Sequence, residues 1–237
     1  MTCAGGLNPV NTAECQLSWS SAVAAPGRTL RDERRRRLGQ NFLRPQAAER
    51  LVHQAGVTPG ELVIDIGAGS GALCRALLAH EAEVIAVEVD PVWAADLRAL
   101  ARHEGRGRIR VVEIDFLGYR LPERPFRVLA CLPYGVTTAI LHRLLDDPGS
   151  ALVRADLIVQ WEVARKRVLA PPTTLLSTTW TPWWEFQLGC RFPASDFRPV
   201  PRVDGGALVV TRRSPPFLPA SMASAYNQFV RTHWPFS

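Results

Sequence analysis

Lysine is almost missing from this chain. Lys166 is the only one among 28 lysine and arginine residues. Cysteine is also sparse. Cys3, Cys15, Cys74, Cys131 and Cys190 are scattered and odd in number, and no pair has metal-ligand spacing. That excludes a disulfide scaffold and a structural zinc site, and it fits a reduced, cytoplasmic setting with no metal. No apolar run reaches membrane-spanning length, so no membrane partner is expected. The amino terminus lacks a basic segment followed by an apolar core, so no secretion signal is read there. Internal repeats are absent.

What is present is a globular composition, 47% hydrophobic over 237 residues. This suffices for one sizeable core and a small appendage. The net charge is +6 and the sequence pI about 9.5. Arginine suits phosphate because its planar fork can hold two oxygens at once. A coding bias toward arginine would produce the same excess, so overall charge points only modestly to a nucleic-acid partner.

The stretch from Glu61 to Gly71 (Glu-Leu-Val-Ile-Asp-Ile-Gly-Ala-Gly-Ser-Gly) organises the rest. Its near-continuous apolar run, interrupted at Asp65, reads as a buried parallel strand. Gly67, Gly69 and Gly71 then form a turn that lets a ligand approach the backbone. Apolar residues at helical spacing follow, from Ala72 to His80. Strand, glycine turn and helix build a nucleotide site at the carboxyl edge of an α/β sheet. The glycines also satisfy the looser dinucleotide fingerprint, which keeps NAD as an alternative. Asp65 favours S-adenosylmethionine, because a carboxylate there repels pyrophosphate and suits an ammonium or sulfonium group. A purely structural Asp65, bonded to the glycine turn, is the other reading.

Taken in order, residues 1–27 read as a disordered tail, 28–213 as the catalytic domain and 214–237 as the start of a helical part. Arg28 to Arg37 carries six arginines, four of them consecutive from Arg34 to Arg37. This is either a solvated charge run or an arm for a phosphate backbone. A helix is expected from Pro45 to Gly56. A second strand spans Glu83 to Glu88 and ends in an acid about twenty residues past the first glycine, where a carboxylate can hold ribose hydroxyls. A helix from Pro91 to His103 follows. A third strand, Arg108 to Ile114, runs into Asp115-Phe116, an acid and an aromatic that could meet adenine but more often mark an ordinary strand end. The fourth strand, Phe126 to Leu132, enters Cys131-Leu132-Pro133-Tyr134-Gly135. A helix from Val136 to Leu145, a fifth strand from Ala155 to Gln160, and a basic helix from Trp161 to Ala170 with Arg165, Lys166 and Arg167 come next. Pro171 to Thr179 reads as loop. Trp183 to Phe192 and Gly206 to Arg212 read as an antiparallel pair joined by Arg191 to Pro201, and Ala220 to His233 as an incipient helix. Trp180, Trp183 and Trp184 are assigned to core packing rather than base stacking, because they bury so much apolar area.

With these pieces set down, the sequence resembles the adenine-N6 methyltransferases of ribosomal RNA. The resemblance rests on Gly-Gln-Asn-Phe-Leu (Gly39 to Leu43), Asp65 to Gly71, Val-Glu-Val-Asp (Val87 to Asp90), Asp115 and Leu-Pro-Tyr (Leu132 to Tyr134), in that order. Val159 to Arg167 and Pro182 to Phe186 look like the macrolide-resistance branch from actinomycete bacteria, which modifies 23S ribosomal RNA. The resemblance implies an α/β, Rossmann-like S-adenosylmethionine-dependent methyltransferase with a seven-stranded, mostly parallel sheet and a short helical C-terminal part. It implies a cytoplasmic monomer acting on 23S ribosomal RNA. Asn41 and Leu43 would line the methionine end of the cofactor, and Gly67 its glycine turn. Glu88 would hold the ribose, Asp115 the cofactor adenine, and Tyr134 would stack on an extruded target adenine. Arg34, Arg35, Arg36, Arg37, Arg165, Lys166 and Arg167 would meet RNA phosphate.

Two departures stand out. The family normally supplies an asparagine side chain and the next carbonyl as acceptors for the adenine amino group. Here Cys131 holds the asparagine position, a weak acceptor and weak donor near both cofactor and target. The Leu132 carbonyl and the rigid Pro133 turn remain. A non-catalytic RNA-binding or assembly factor that kept the fold is therefore the competing reading. The second departure is length: relatives carry several C-terminal helices, and the piece before Ser237 is expected to lie against the catalytic domain or fray.

Overall fold

The structure, a computed structural model, describes residues 41–234. The Arg34–Arg37 arm, the 1–27 tail and Gly39-Gln40 lie outside the described residues. Nine strands are described: β1 (Phe42–Leu43), β2 (Leu62–Ile66), β3 (Glu83–Glu88), β4 (Ile109–Glu113), β5 (Phe126–Cys131), β6 (Leu152–Gln160), β7 (Trp184–Phe192), β8 (Phe197–Arg198) and β9 (Gly205–Arg212). The helices are α1 (Pro45–Ala55), α2 (Ala72–Ala79), α3 (Pro91–His103), α4 (Thr137–Leu145), α5 (Trp161–Arg167), α6 (Leu175–Trp180) and α7 (Ala223–His233).

Seven strands form one sheet in the order β4-β3-β2-β5-β6-β9-β7. All neighbours are parallel except β9, which runs antiparallel to both β6 and β7. The chain leaves β2 toward β3 on one side and later returns to β5 on the other. A switch point therefore opens at the carboxyl ends of β2 and β5, where α/β sheets bind ligands. Period-two alternation splits the core into two layers. Leu62, Ile64 and Ile66 face α4 and the tryptophan cluster, whereas Val63 faces α1, α2 and α3. Asp65 thereby inherits the face that looks at α2.

Local chemistry explains most boundaries. Pro45 starts α1 and Gly56 ends it in the left-handed region at φ 61°, which glycine adopts without a Cβ clash. Asp90 caps α3 by accepting from the Val92 N–H at 2.9 Å, with Pro91 at the first helical position. Trp180, Trp183 and Trp184 are 1%, 3% and 0% exposed, so they pack the core as their bulk predicts. The final segment lies against this core. Trp183 Nε1 donates to the Leu218 carbonyl at 2.7 Å, and the Tyr226 hydroxyl to the Thr178 carbonyl at 3.2 Å.

Four expectations are corrected. Residues within the expected loop from Pro171 to Thr179 form α6, because Thr174 Oγ1 accepts from the Ser177 N–H at 3.1 Å and opens a helical turn. Helix α5 stops at Arg167, not Ala170. Pro171 and Pro172 lack the N–H groups that would bond the carbonyls of Arg167 and Val168. Strand β6 begins at Leu152, three residues early, through a register shift against Phe126 and Arg127. Inside the expected connector from Arg191 to Pro201, Phe197 and Arg198 pair antiparallel with Leu43 and Phe42. A two-residue ladder carries no periodicity to read.

Candidate cofactor and target-base site

Gly67, Gly69 and Gly71 hold φ values of 69°, 50° and 77°. All lie in the left-handed region, where a side chain is strained. At Gly69 a Cβ would also meet the Phe42 ring at 2.5 Å. Phe42 therefore rests on the turn itself, and its other ring neighbour is Trp93, 4.7 Å away between centroids. Strand β1 brings Phe42 here by pairing with β8, a contact made between residues about 150 positions apart.

Glu88 ends β3 with its carboxylate inside the protein, 2% exposed. One oxygen accepts from the Gly69 N–H at 2.8 Å and the other from the Asp90 N–H at 2.9 Å. Burial pushes its pKa up, and these two backbone donors oppose the rise. Each oxygen has used one acceptor site and keeps another. The carboxylate thus fixes the glycine turn and can still receive two hydroxyls.

Asp65 is 2% exposed and accepts from the Cys74 thiol at 3.2 Å. Burial drives its pKa to about 7, the Cys74 hydrogen bond opposes this, and the Glu88 charge adds to it. A carboxylate that desolvated, with a thiol as its hydrogen-bond donor, is complementary to a cationic ligand. Its bond goes to α2 and not to the glycine turn. The Cys74 partner follows from helical geometry and was not read from the sequence.

Cys131 ends β5, with its sulfur 3.8 Å from the Asn41 carbonyl. Burial first, and Asp65 second, push its pKa to about 12, so it stays a neutral thiol and not a nucleophilic thiolate. Leu132 is buried, and its N–H donates to the Ile158 carbonyl at 3.0 Å. The Pro133 carbonyl accepts from the Val136 N–H at 3.1 Å and the Thr137 hydroxyl at 3.2 Å, which pins the turn onto α4. The Tyr134 hydroxyl is buried without a hydrogen-bond partner, and burial lifts its pKa to about 12. Two cavities of about 20 and 30 Å³ run between these groups. Asn41, Phe42, Gly67 and Cys131 line both; Leu43 and Asp65 join one, Tyr134 and Phe197 the other. The cavities bring the expected cofactor residues Asn41, Leu43, Gly67 and Cys131 beside the Leu-Pro-Tyr turn. Phe197 and Phe42, which the sequence reading did not assign to the site, complete its walls.

Other expected residues do not line these two cavities. Asp115 is exposed and accepts from the Leu117 N–H at 2.9 Å, opening a short turn. Its neighbour Phe116 is 5% exposed and packs in the core, so it does not offer a face to adenine. In α5, Arg165 and Lys166 are exposed. Arg167 instead turns inward, donating to Thr174 Oγ1 at 2.9 Å and lying over the Trp180 ring at 5.7 Å. No group of three or more His, Cys, Asp or Glu side chains among the described residues could hold a metal. A larger cavity of about 720 Å³ lies at the opposite, amino end of the sheet. Its rim arginines Arg124 and Arg120 pair with Glu83 and Glu123, so it is not the site of this chemistry.

Residues 31–234 match the ribosomal RNA adenine dimethylase family. The chain is 39% identical over 195 residues to an rRNA adenine N-6-methyltransferase of Corynebacterium diphtheriae, covering 82% of this chain and 75% of that one. It is 40% identical over 198 residues to the mycinamicin-resistance protein MyrB of Micromonospora griseorubida, covering 83% and 62%. Against the rRNA adenine N-6-methyltransferase of Saccharopolyspora erythraea it spans 53% of that protein's length. Among solved structures, the 23S rRNA methyltransferase ErmE superposes with a TM-score of 0.70 at 32% identity, covering 81% of this chain and 78% of the other.

Proposed function

Because this chain belongs to the ribosomal RNA adenine dimethylase family, we propose that it methylates the N6 of an adenine in 23S ribosomal RNA, using S-adenosylmethionine, and so confers macrolide-type resistance. The observation that carries this reading is the continuity of the site. The glycine turn, Asp65 and the Cys131–Tyr134 turn line two neighbouring cavities that share Asn41, Phe42, Gly67 and Cys131, and Glu88 is tied to the same glycine turn through the Gly69 N–H. The similarity to a mycinamicin-resistance protein and to a 23S rRNA methyltransferase supports the choice of RNA. Residues 28–213 form the catalytic unit and 214–237 begin the helical part. The protein acts as a cytoplasmic monomer; no helix among the described residues is long and apolar enough to cross a membrane.

The residues fit the cofactor. The glycine turn cannot accept a Cβ at Gly69, Glu88 keeps two acceptor sites, and Asp65 is a buried carboxylate with a thiol partner. S-adenosylmethionine supplies an electrophilic methyl group on a sulfonium. Glu88 binds the ribose, and Asp65 faces the positive charge. Asn41 and Leu43, which line the cavity beside Asp65, would hold the methionine end, and Asp115 would hold the adenine of the cofactor.

The target amino nitrogen is a poor nucleophile, since its lone pair is delocalised into the purine ring. The Leu132 carbonyl accepts one amino hydrogen and draws the lone pair out of conjugation, and it stabilises the positive charge that develops. Pro133 fixes that carbonyl, and Tyr134 stacks on the extruded base. Bound S-adenosylmethionine would supply the methyl group to that lone pair, and Leu132, Pro133 and Tyr134 would hold the amino nitrogen toward it. The resulting ammonium is acidic and gives its proton to water, so no strong base is needed. Arg34 to Arg37, Arg165 and Lys166 hold phosphate. Cys131 adds little polarisation, which slows the step without removing it.

Expression in a macrolide-susceptible bacterium tests the reading. Resistance that disappears with Tyr134→Ala supports it. Unchanged susceptibility with the folded protein present argues against it.

A further inference from the structure

Beside the Leu-Pro-Tyr turn, a second group of side chains is built with care and has no role in methyl transfer. Asp204, just before β9, organises it. Its carboxylate accepts from Arg191 Nε at 2.7 Å and from the Ala194 N–H at 2.8 Å. A second nitrogen of the same guanidinium lies 2.7 Å from the same carboxylate oxygen. The Asp204 backbone carbonyl accepts from the Trp161 N–H at 3.0 Å. The Arg191 guanidinium lies over the Trp161 ring, 5.3 Å from its centroid. Behind that ring, Gly206 leaves room that a Cβ would fill, at 2.6 Å from the indole. Three chain segments, at Trp161, Arg191 to Ala194 and Asp204 to Gly206, thus converge to fix one arginine in one orientation.

Its place in the fold gives that orientation a purpose. Cys131 pairs with Ile158 across β5 and β6. Trp161 is three residues beyond Ile158, just as Tyr134 is three beyond Cys131. Both aromatics therefore leave the same sheet edge from adjacent strands. Asp204 is near enough to Tyr134 to act on it electrostatically. The surroundings are also open and basic. Arg191 has a side chain 60% exposed, Arg198 and Arg202 are exposed, and Arg165 and Lys166 lie along α5, which Trp161 begins.

We infer that Arg191, stacked on Trp161 and clamped by Asp204, binds the phosphodiester beside the extruded adenine and positions the RNA over Tyr134. Asp204 holds the guanidinium along one edge, through Nε and one terminal nitrogen. The opposite edge keeps N–H donors that face solvent, the fork that a phosphate's two oxygens match. The stack on Trp161 fixes the plane of the fork before RNA arrives, so less side-chain freedom is lost on binding. A phosphate contact of this kind positions RNA without reading its sequence. Arg191 is a positioning residue, and this role rests on the RNA-methyltransferase reading above.

The test compares wild type, Arg191→Ala, Arg191→Lys and Asp204→Asn by RNA affinity across salt concentrations and by single-turnover methyl transfer to 23S RNA. Arg191→Ala should weaken RNA binding about tenfold and flatten the slope of log affinity against log salt by about one unit. Its S-adenosylmethionine affinity should stay within about threefold of wild type. Arg191→Lys should restore the slope but not the full affinity, since a point charge replaces the fork. Asp204→Asn should keep the slope and lose affinity several-fold, because the charge remains while its clamp loosens. Unchanged RNA affinity and slope in an Arg191→Ala protein that still binds cofactor overturns the inference. A loss of rate at saturating RNA with affinity unchanged overturns it as well. Should wild type bind RNA with an Arg191-dependent slope yet transfer no methyl group, the proposed activity fails and the phosphate contact stands.

Discussion

The Cys74 thiol donates to the Asp65 carboxylate at 3.2 Å beneath the glycine turn, and nothing of either group reaches solvent to any extent. Asp65 is thus an acid held in a dry place with one weak donor. Its pKa of about 7 follows mainly from burial.

That shift fixes a sign. The folded pKa is raised above the unfolded value, so Asp65 contributes most at acidic pH, where it is protonated in both states. The contribution is lost as pH rises from about 4 to about 7, because only the unfolded chain ionises freely. Asp65→Asn should therefore gain stability relative to wild type across this window, by a few kcal/mol, and the difference should level off above it. Cofactor binding should behave inversely. A cationic ligand favours the ionised form, so affinity for S-adenosylmethionine should rise through pH 7 with release of about one proton. Calorimetry in buffers of different ionisation enthalpy measures that proton. A pH-independent affinity in wild type would separate Asp65 from the cofactor.

Glu88 holds two backbone N–H groups and is the proposed ribose acceptor, and one substitution probes both. Glu88→Ala removes the ribose acceptors and strands the buried N–H groups of Gly69 and Asp90. Cofactor affinity should fall about tenfold or more, the range for lost hydrogen bonds to a charged group being about 1.5–3 kcal/mol. The protein should also melt earlier, with about 1–3 kcal/mol of lost stability for each unsatisfied donor that water does not reach. Glu88→Gln keeps one acceptor and should fall between. Equal cofactor affinity in wild type and Glu88→Ala, measured by calorimetry, would remove the ribose assignment.

The contact between Gly69 and Phe42 predicts a coupled pair. Gly69→Ala places a Cβ 2.5 Å from the Phe42 ring and strains a backbone at φ 50°. The strain alone is worth roughly 1–3 kcal/mol. Cofactor binding should weaken at least tenfold, and adding Phe42→Ala should restore part of it by removing the clash. A double-mutant cycle measures this coupling. Strict additivity of the two changes would mean that Phe42 does not rest on the turn in solution.

Strand and helix order were legible in the sequence because the signals are local. Glu83–Glu88 and Pro91–His103 were bounded by an acid, a proline and a clear period, and the structure keeps both ranges. The positions of Asp65, the glycines and Glu88 were legible for the same reason, since they sit at strand ends. Cys74, Phe42 and Phe197 were not. Each reaches the site through a contact that only the folded chain makes: a helix face turned onto a strand, and a two-residue ladder between β1 and β8. Phe116, which packs in the core as an ordinary strand-end residue does, shows the converse. A strand end predicts where the backbone stops, not whether the next ring turns inward. Arg167 likewise looked like its neighbours Arg165 and Lys166 until Thr174 and Trp180 claimed it.

Cys131 poses the chemical question most sharply. Restoring an acceptor with Cys131→Asn should raise the single-turnover rate at least several-fold. The ceiling is about 10²–10³, by analogy with the loss of one preorganised donor at an oxyanion hole. RNA affinity should change little, because Tyr134 and the basic residues are untouched. Equal rates for both proteins at saturating cofactor and RNA would mean that another group supplies the second acceptor.

The central claim is that this chain transfers a methyl group to one adenine of 23S ribosomal RNA. It is tested most directly by incubating the purified protein with labelled S-adenosylmethionine and unmodified 23S RNA, then mapping the product by nucleotide. Label is expected in N6-methylated adenosine at a single position, lost in Tyr134→Ala and absent from 16S RNA. A folded, cofactor-binding protein that leaves 23S RNA unlabelled, with Cys131 or with asparagine in its place, would contradict it.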